Sequence, residues 1–195
     1  MCNEKSISYD SDGYSKSLDK LVAMSEKEYY VHLVDINRHQ VVVARTLLWL
    51  AVILIGFDIA IIEWAYTKAS KLPDLVPILT PCYFFVIFSI IFGVLAFAFS
   101  AIAIPAFGGY KPLYNNSWAD YSNSAHEKLL SGQDSIYMNT LNDLLTNLDA
   151  ACSKGNTTNA ARGLKLRISS ILTILSATFA GIGFIIFSFN YYLKA

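Results

Sequence analysis

Residues 82–104 read CYFFVIFSIIFGVLAFAFSAIAI, an apolar run without a single charge. About 20 apolar residues at 1.5 Å rise per residue cross a hydrocarbon core of roughly 30 Å. Two further runs match it: residues 47–65, LLWLAVILIGFDIAIIEWA, and residues 168–190, ISSILTILSATFAGIGFIIFSFN. Hydrophobic residues make up 54% of the 195-residue chain and charged residues only 15%, where an average soluble domain is about a quarter charged. The polar sequence that remains is too short to wrap three such runs. Lipid is therefore the expected solvent, and the expected fold class is an all-α membrane protein with three transmembrane helices and a helical cytosolic part.

The basic residues set the expected orientation. Lys5, Lys16, Lys20, Lys27, Arg38 and Arg45 precede the first span; Lys111, Lys128, Lys154, Arg162, Lys165 and Arg167 lie between the second and third. The connection between spans one and two holds only Lys68 and Lys71, and the tail only Lys194. Basic loops stay on the cytoplasmic side, most strongly where they abut a span, so Arg45, Arg162, Lys165 and Arg167 are read as topology-setting. The expected layout is a cytosolic segment 1–46, span 47–65, external connection 66–81, span 82–104, cytosolic segment 105–167, span 168–190 and external tail 191–195. In a bacterium this is the inner membrane, with the N-terminus inside. Residues 1–18 are polar and of mixed charge, without the apolar core of a secretory signal.

Both cytosolic segments read as helical. Leu18, Leu21, Val22, Tyr29, Leu33, Ile36 and Val43 recur at three- and four-residue steps, and no Pro or Gly interrupts residues 15–55. This pattern predicts one amphipathic helix that continues into the first span. The second segment opens with turn chemistry at Gly108, Gly109 and Pro112, followed by an aromatic, Asn-rich stretch. Tyr137, Leu141, Leu144, Leu148 and Ala151 then form a narrow seam, suited to packing on another helix. Lys154-Gly155-Asn156 is expected to end that helix, with a new one starting near Thr157. Pro73, Pro77 and Pro81 argue against helix before residue 82, and Pro105 is expected to end or kink the second span.

Two acidic residues lie in the first span. Asp58 sits roughly 16 Å in from Leu47 at 1.5 Å per residue, where a charge costs at least ~2.5 kcal/mol. It must be neutral, paired or wet. Two readings stand open: a pore-lining or gating role, or a hydrogen bond with Ser or Thr on a neighbouring helix. Glu63 is five residues on, roughly 140° around the helix, so the two do not share a face. Spans two and three carry stripes of small residues at 4-3-4-3 steps: Ser89, Gly93, Ala96, Ser100 and Ala103, and Ser169, Thr173, Ser176, Ala180 and Gly183. Small side chains let helices approach in lipid. The stripes are expected to be helix-packing seams, with a pore-lining seam between copies as the alternative.

The remaining chemistry is sparse. Cys2, Cys82 and Cys152 are scattered, and His32, His39 and His126 form no ligand cluster, so neither a disulfide framework nor a zinc site is expected. Lys plus Arg balance Asp plus Glu at 15 each, which leaves no basic excess for direct nucleic-acid binding. No phosphate loop, catalytic triad or HExxH motif occurs. No enzymatic activity and no cofactor are expected.

The layout resembles that of small bacterial transmembrane effectors of anti-phage defence, of the SLATT, Pycsar and retron-linked types. The features that carry the likeness are a cytosolic helix feeding span one, span two closing at Pro105, a helical cytosolic segment, and Arg162, Lys165 and Arg167 leading into span three. The resemblance is architectural and transfers no individual functional residue. It implies an inner-membrane protein, homo-oligomeric within the lipid bilayer, that answers a cytosolic regulator protein or signal nucleotide. Its response would breach the membrane and stop growth. A small channel or transporter subunit, or a scaffold recruiting a cytosolic partner, fits the same residues, although three spans without an internal repeat are few for a repeat-built transporter.

Overall fold

The computed structural model describes residues 11–71, 75–105, 110, 123, 126–128, 130–132 and 135–194. Among them all regular structure is helical. Helix α1 covers Ser11–Tyr30, a π-helical turn follows at Val31–Ile36, α2 covers Asn37–Ala69, α3 Val76–Ala103 and α4 Ile136–Lys194. Asp12–Ala69, Val76–Ala103 and Ile136–Leu193 each contain helix long and apolar enough to cross a membrane. Only 22%, 28% and 28% of their most apolar windows are buried inside the protein. Ile53, Ile174 and Ile185 stand more than half exposed, an outward face that suits hydrocarbon and not water. The packing separates two units, Met1–Asn37 with Gly108–Asn159, and Arg38–Phe107 with Ala160–Ala195.

In the first unit, α1 finds its partner within the chain. Leu18 and Val22 pack against Leu141 and Leu148 of α4, flanked by Tyr29, Met138, Leu144 and Leu145. Asp12 in the first turn of α1 and Lys27 in the last suit the helix dipole. The Tyr137 hydroxyl donates to Asp19, which raises the phenol above its ordinary range. Gly108, Gly109, Pro112 and the Asn-rich stretch lie outside the described residues.

The stripe expected on the first helix changes register. A strict repeat would carry Tyr29 to Ile36 and Val43, yet Ala44 is the fully buried residue, while Ile36 and Val43 are half-buried. A π-helical turn holds one extra residue, and the turn at Val31–Ile36 absorbs that one-residue slip. Beyond it Ala44, Ala51, Asp58 and Ala65 are all buried, spaced by seven.

Two expected boundaries are corrected. Helix α3 starts at Val76, so Pro77 lies in its first turn and Pro81 inside it. The first turn has no intrahelical N–H bonds to lose. Pro81 costs only the bond to the carbonyl of Pro77, near the helix start. Helix α4 runs unbroken through Lys154, Gly155 and Asn156. Gly155 is buried there; it belongs to a packing seam and not to a helix end. That seam steps 4-3-4-3 through Leu141, Leu145, Leu148, Cys152, Gly155, Asn159, Arg162, Leu166, Ser169, Thr173, Ser176, Ala180, Gly183 and Phe187. Every position but half-buried Leu145 is buried. A 3.5-residue period keeps one face covered through left-handed winding of helices.

In the second unit α2, α3 and α4 pack together. Ile61, Ala65, Ala69, Leu75, Cys82, Val86 and Phe187 form a core at one end; Ala44, Ala103 and Leu166 form one at the other. Trp64 meets Phe187 edge-on at 5.1 Å and Phe184 at 5.7 Å. Lys68 Nζ lies 5.3 Å from the Tyr191 ring centre, a cation–π contact. Pro105 follows the last turn of α3, which closes at Ile104.

Candidate functional site

Between the two cores of the second unit the interior is polar. Asp58 is fully buried, on the seam between Ala51 and Ala65, whose small side chains let α3 and α4 come close. Its Oδ2 lies 2.7 Å from Ser89 Oγ of α3. Ser89 Oγ also lies 2.8 Å from the Ser176 carbonyl oxygen and 3.1 Å from Ser176 Oγ, both on α4. One hydroxyl thus joins three helices. Asp58 Oδ1 has no hydrogen-bond partner, and among the described residues no cation pairs with the carboxyl.

The small-residue stripes of α3 and α4 face each other. Ser89, Gly93, Ala96, Ser100 and Ala103 are all buried, as are Ser169, Thr173, Ser176, Ala180 and Gly183. Ser169 donates to the Ala96 carbonyl at 2.8 Å. That spends its only proton, so Ser100 is the donor in the 2.6 Å Ser100–Ser169 contact. Thr173 donates back to the Ser169 carbonyl within its own helix. At Gly93 an added Cβ would lie 3.0 Å from Ile55 and 3.3 Å from Ser176 Oγ; at Gly183 it would lie 2.9 Å from Val86. Both stripes are consumed within the chain. Ala177 and Gly181, two further small residues four apart on α4, lie off this seam: Ala177 is exposed and Gly181 has open space around it.

The other singled-out residues separate. Glu63 is exposed and does not meet Asp58. Arg45 and Arg167 are exposed and Lys165 is partly buried. Arg162 is different: it is 2% exposed, and its Nε and Nη2 donate to the carbonyls of Ala103 and Ile104 at 2.9 and 2.8 Å. These are the carbonyls of the last residue and the C-cap of α3, which have no N–H donor within their own helix. Arg162 therefore caps α3, a role that sequence reading missed. The available signal was its place on the same 4-3 seam as Leu166 and Ser169.

The first unit carries a separate polar cavity of about 260 Å³, lined by Ser25, Glu28, Asp149, Cys152, Ser153 and Asn156. Cys152 Sγ donates to the Ser25 carbonyl at 3.7 Å. Burial first, and then the carboxylates of Glu28 and Asp149, push its thiol above the ordinary range. The thiolate is the reactive form. Alkylation of the Cys152 peptide, followed by mass spectrometry at mildly alkaline pH, is accordingly expected to run several-fold slower than that of glutathione. Equal rates would contradict this environment. In the same unit the Tyr110 hydroxyl donates to Asn159 at 2.6 Å.

Among the described residues no group of three or more His, Cys, Asp or Glu could hold a metal. The bundle interior offers hydroxyls, one carboxyl and backbone carbonyls, groups suited to exchanging hydrogen bonds between helices. Compared with protein-family models, curated proteins and solved structures, the chain matches none.

Proposed function

We propose that this protein is a membrane-embedded effector of bacterial anti-phage defence, switched by its helical head, that oligomerises and perturbs the inner membrane. The observation that carries this reading is the polar interior of the α2–α3–α4 bundle. A passive anchor needs only apolar packing, whereas this one encloses Asp58, Ser89, Ser100, Ser169 and Ser176. Such groups cannot be turned toward hydrocarbon without losing their hydrogen bonds. If a signal loosens the bundle, they must find partners on another copy or draw in water. Oligomerisation and leakage follow from the same cost.

Helix α4 gives the signal a route, since its seam continues without a break from Leu141 to Phe187. The charge tally supports a cytosolic head, N-terminus inside and C-terminus outside. A regulator protein or a signal nucleotide acting on that head is the partner this reading requires. Induced expression in bacteria without the regulator is expected to depolarise the inner membrane and arrest growth. A dye assay showing full membrane potential at high expression would overturn the proposal. The orphan Asp58 Oδ1 favours a second reading, a small channel or transporter subunit. That reading expects ion-selective flux in liposomes without growth arrest.

A further inference from the structure

We infer that the Asp58–Ser89–Ser176 cluster is a proton site, in which Asp58 is held as the neutral acid and its proton ties α2 to α3 and α4. The hydrogens available at Ser89 require it. Three contacts converge on Ser89 Oγ, from Asp58 Oδ2, the Ser176 carbonyl and Ser176 Oγ, at 2.7, 2.8 and 3.1 Å. A serine hydroxyl brings one proton and two lone pairs. The Ser176 carbonyl only accepts, so Ser89 donates there, and Ser176 Oγ–H donates to Ser89. The remaining lone pair of Ser89 then faces Asp58 Oδ2 at 2.7 Å. That contact is attractive only if Asp58 supplies a proton.

With Asp58 ionised, the carboxylate and the Ser176 carbonyl would compete for one hydrogen. A three-centre bond shared between them would leave a full charge with half a donor, no cation, and Oδ1 bare. The bilayer interior penalises that arrangement heavily. The surroundings supply no other charge. Between 76 and 103, α3 has only Cys82 and Tyr83 as titratable groups, about two turns from Ser89. Cys82 Sγ lies 3.4 Å from the Gly183 carbonyl. Between 168 and 190, α4 has no titratable group, and on α2 Glu63 points outward. Nor do the oxygens leave room for a cation, since a bound ion would stand between them where they now touch at hydrogen-bond distance. The ligand of this site is a proton. Its loss to solvent removes the donor between α2 and Ser89, and the three helices are held together less tightly as pH rises.

The test is infrared spectroscopy of the full chain in lipid vesicles, with ¹³C label on aspartate side-chain carboxyls. At neutral pH the wild-type spectrum minus that of Asp58→Asn is expected to contain the C=O stretch of one protonated carboxylic acid. Asp58→Asn keeps a donor toward Ser89, so it preserves the bundle and abolishes its pH dependence. A difference spectrum holding only carboxylate bands overturns the inference. Should Asp58→Asn fail to fold, the wild type alone decides. Its labelled acid band is expected at neutral pH and lost on alkaline titration, and its absence at neutral pH overturns the inference.

Discussion

Leucine in place of Gly183 is expected to drive α3 and α4 apart and lower the thermal midpoint in detergent by about 10 °C, whereas leucine in place of Gly181 does not lower it. A Cβ at Gly183 alone would lie 2.9 Å from Val86 Cγ2, 3.3 Å from the Cys82 backbone carbonyl and 3.5 Å from Phe85 Cβ. The valine methyl has a rotamer to change, but the carbonyl belongs to the α3 backbone and cannot turn aside. Leucine adds three more carbons in the same direction. Overpacking of this kind costs ~3 kcal/mol, and more where backbone must move. For a chain of this size that converts to about 10 °C. The Cys82–Gly183 contact at 3.4 Å is lost with it. Gly181 sits two residues away on the same helix with nothing within 4 Å, so its substitution probes the same helix propensity without the seam. Trp64, packed on Phe184 and Phe187, supplies a fluorescence readout close to the change. Equal destabilisation by both substitutions, or none by Gly183→Leu, would refute the packing assignment. An oligomer that persists in Gly183→Leu and disappears in Gly181→Leu would place the contact between copies on the outward face.

That contrast between two glycines also marks how far the sequence could be read. Long uncharged runs announce three helices because hydropathy depends only on local composition. The 4-3 steps of Ser89 to Ala103 and of Ser169 to Gly183 likewise point to covered faces. Which face covers which is a relation between distant segments, and it is legible only in the contacts Ser100–Ser169 and Ser89–Ser176. Local rules misplaced the ends of helices. Gly155 reads as a terminator by propensity, yet a continuous seam outweighs the roughly 1 kcal/mol that a glycine costs in a helix. Pro77 and Pro81 read as breakers, yet the first turns of α3 tolerate them, while Pro73 lies outside the described residues. The one-residue slip at Val31–Ile36 had no compositional signal that could separate it from ordinary helix. Asp58 stood out because a carboxyl amid LLWLAVILIGFDIAII is chemically out of place. The sequence points to its partner only as a residue type, a Ser or Thr on a neighbouring helix.

Arg162 supplies the sharpest division between charge and geometry. Substitution by methionine is expected to destabilise the chain by about 3 kcal/mol, and substitution by lysine to recover less than half of that loss. The guanidinium is buried and reaches two carbonyls, those of Ala103 and Ile104, at 2.9 and 2.8 Å. Methionine matches the stem but donates nothing, so both carbonyls lose their donors; a buried unsatisfied group costs ~1–3 kcal/mol. Lysine keeps the positive charge near the C-terminal end of the α3 dipole. Its ammonium is a point donor, however, and does not reproduce the planar fork that serves two acceptors at once. If Arg162 acted only as a topology-setting charge, lysine and arginine would be equivalent in stability and in orientation. The measurement is amide hydrogen exchange over the last turn of α3, where the Ile104 N–H donates to the Ala101 carbonyl at 3.3 Å. Exchange there is expected to accelerate in the order arginine, lysine, methionine, while Arg167→Lys and Arg45→Lys, at exposed positions, leave it unchanged. A lysine variant indistinguishable from wild type would reduce Arg162 to its charge, and the closure of α3 would then rest on Pro105 and the Ala44–Ala103–Leu166 core alone.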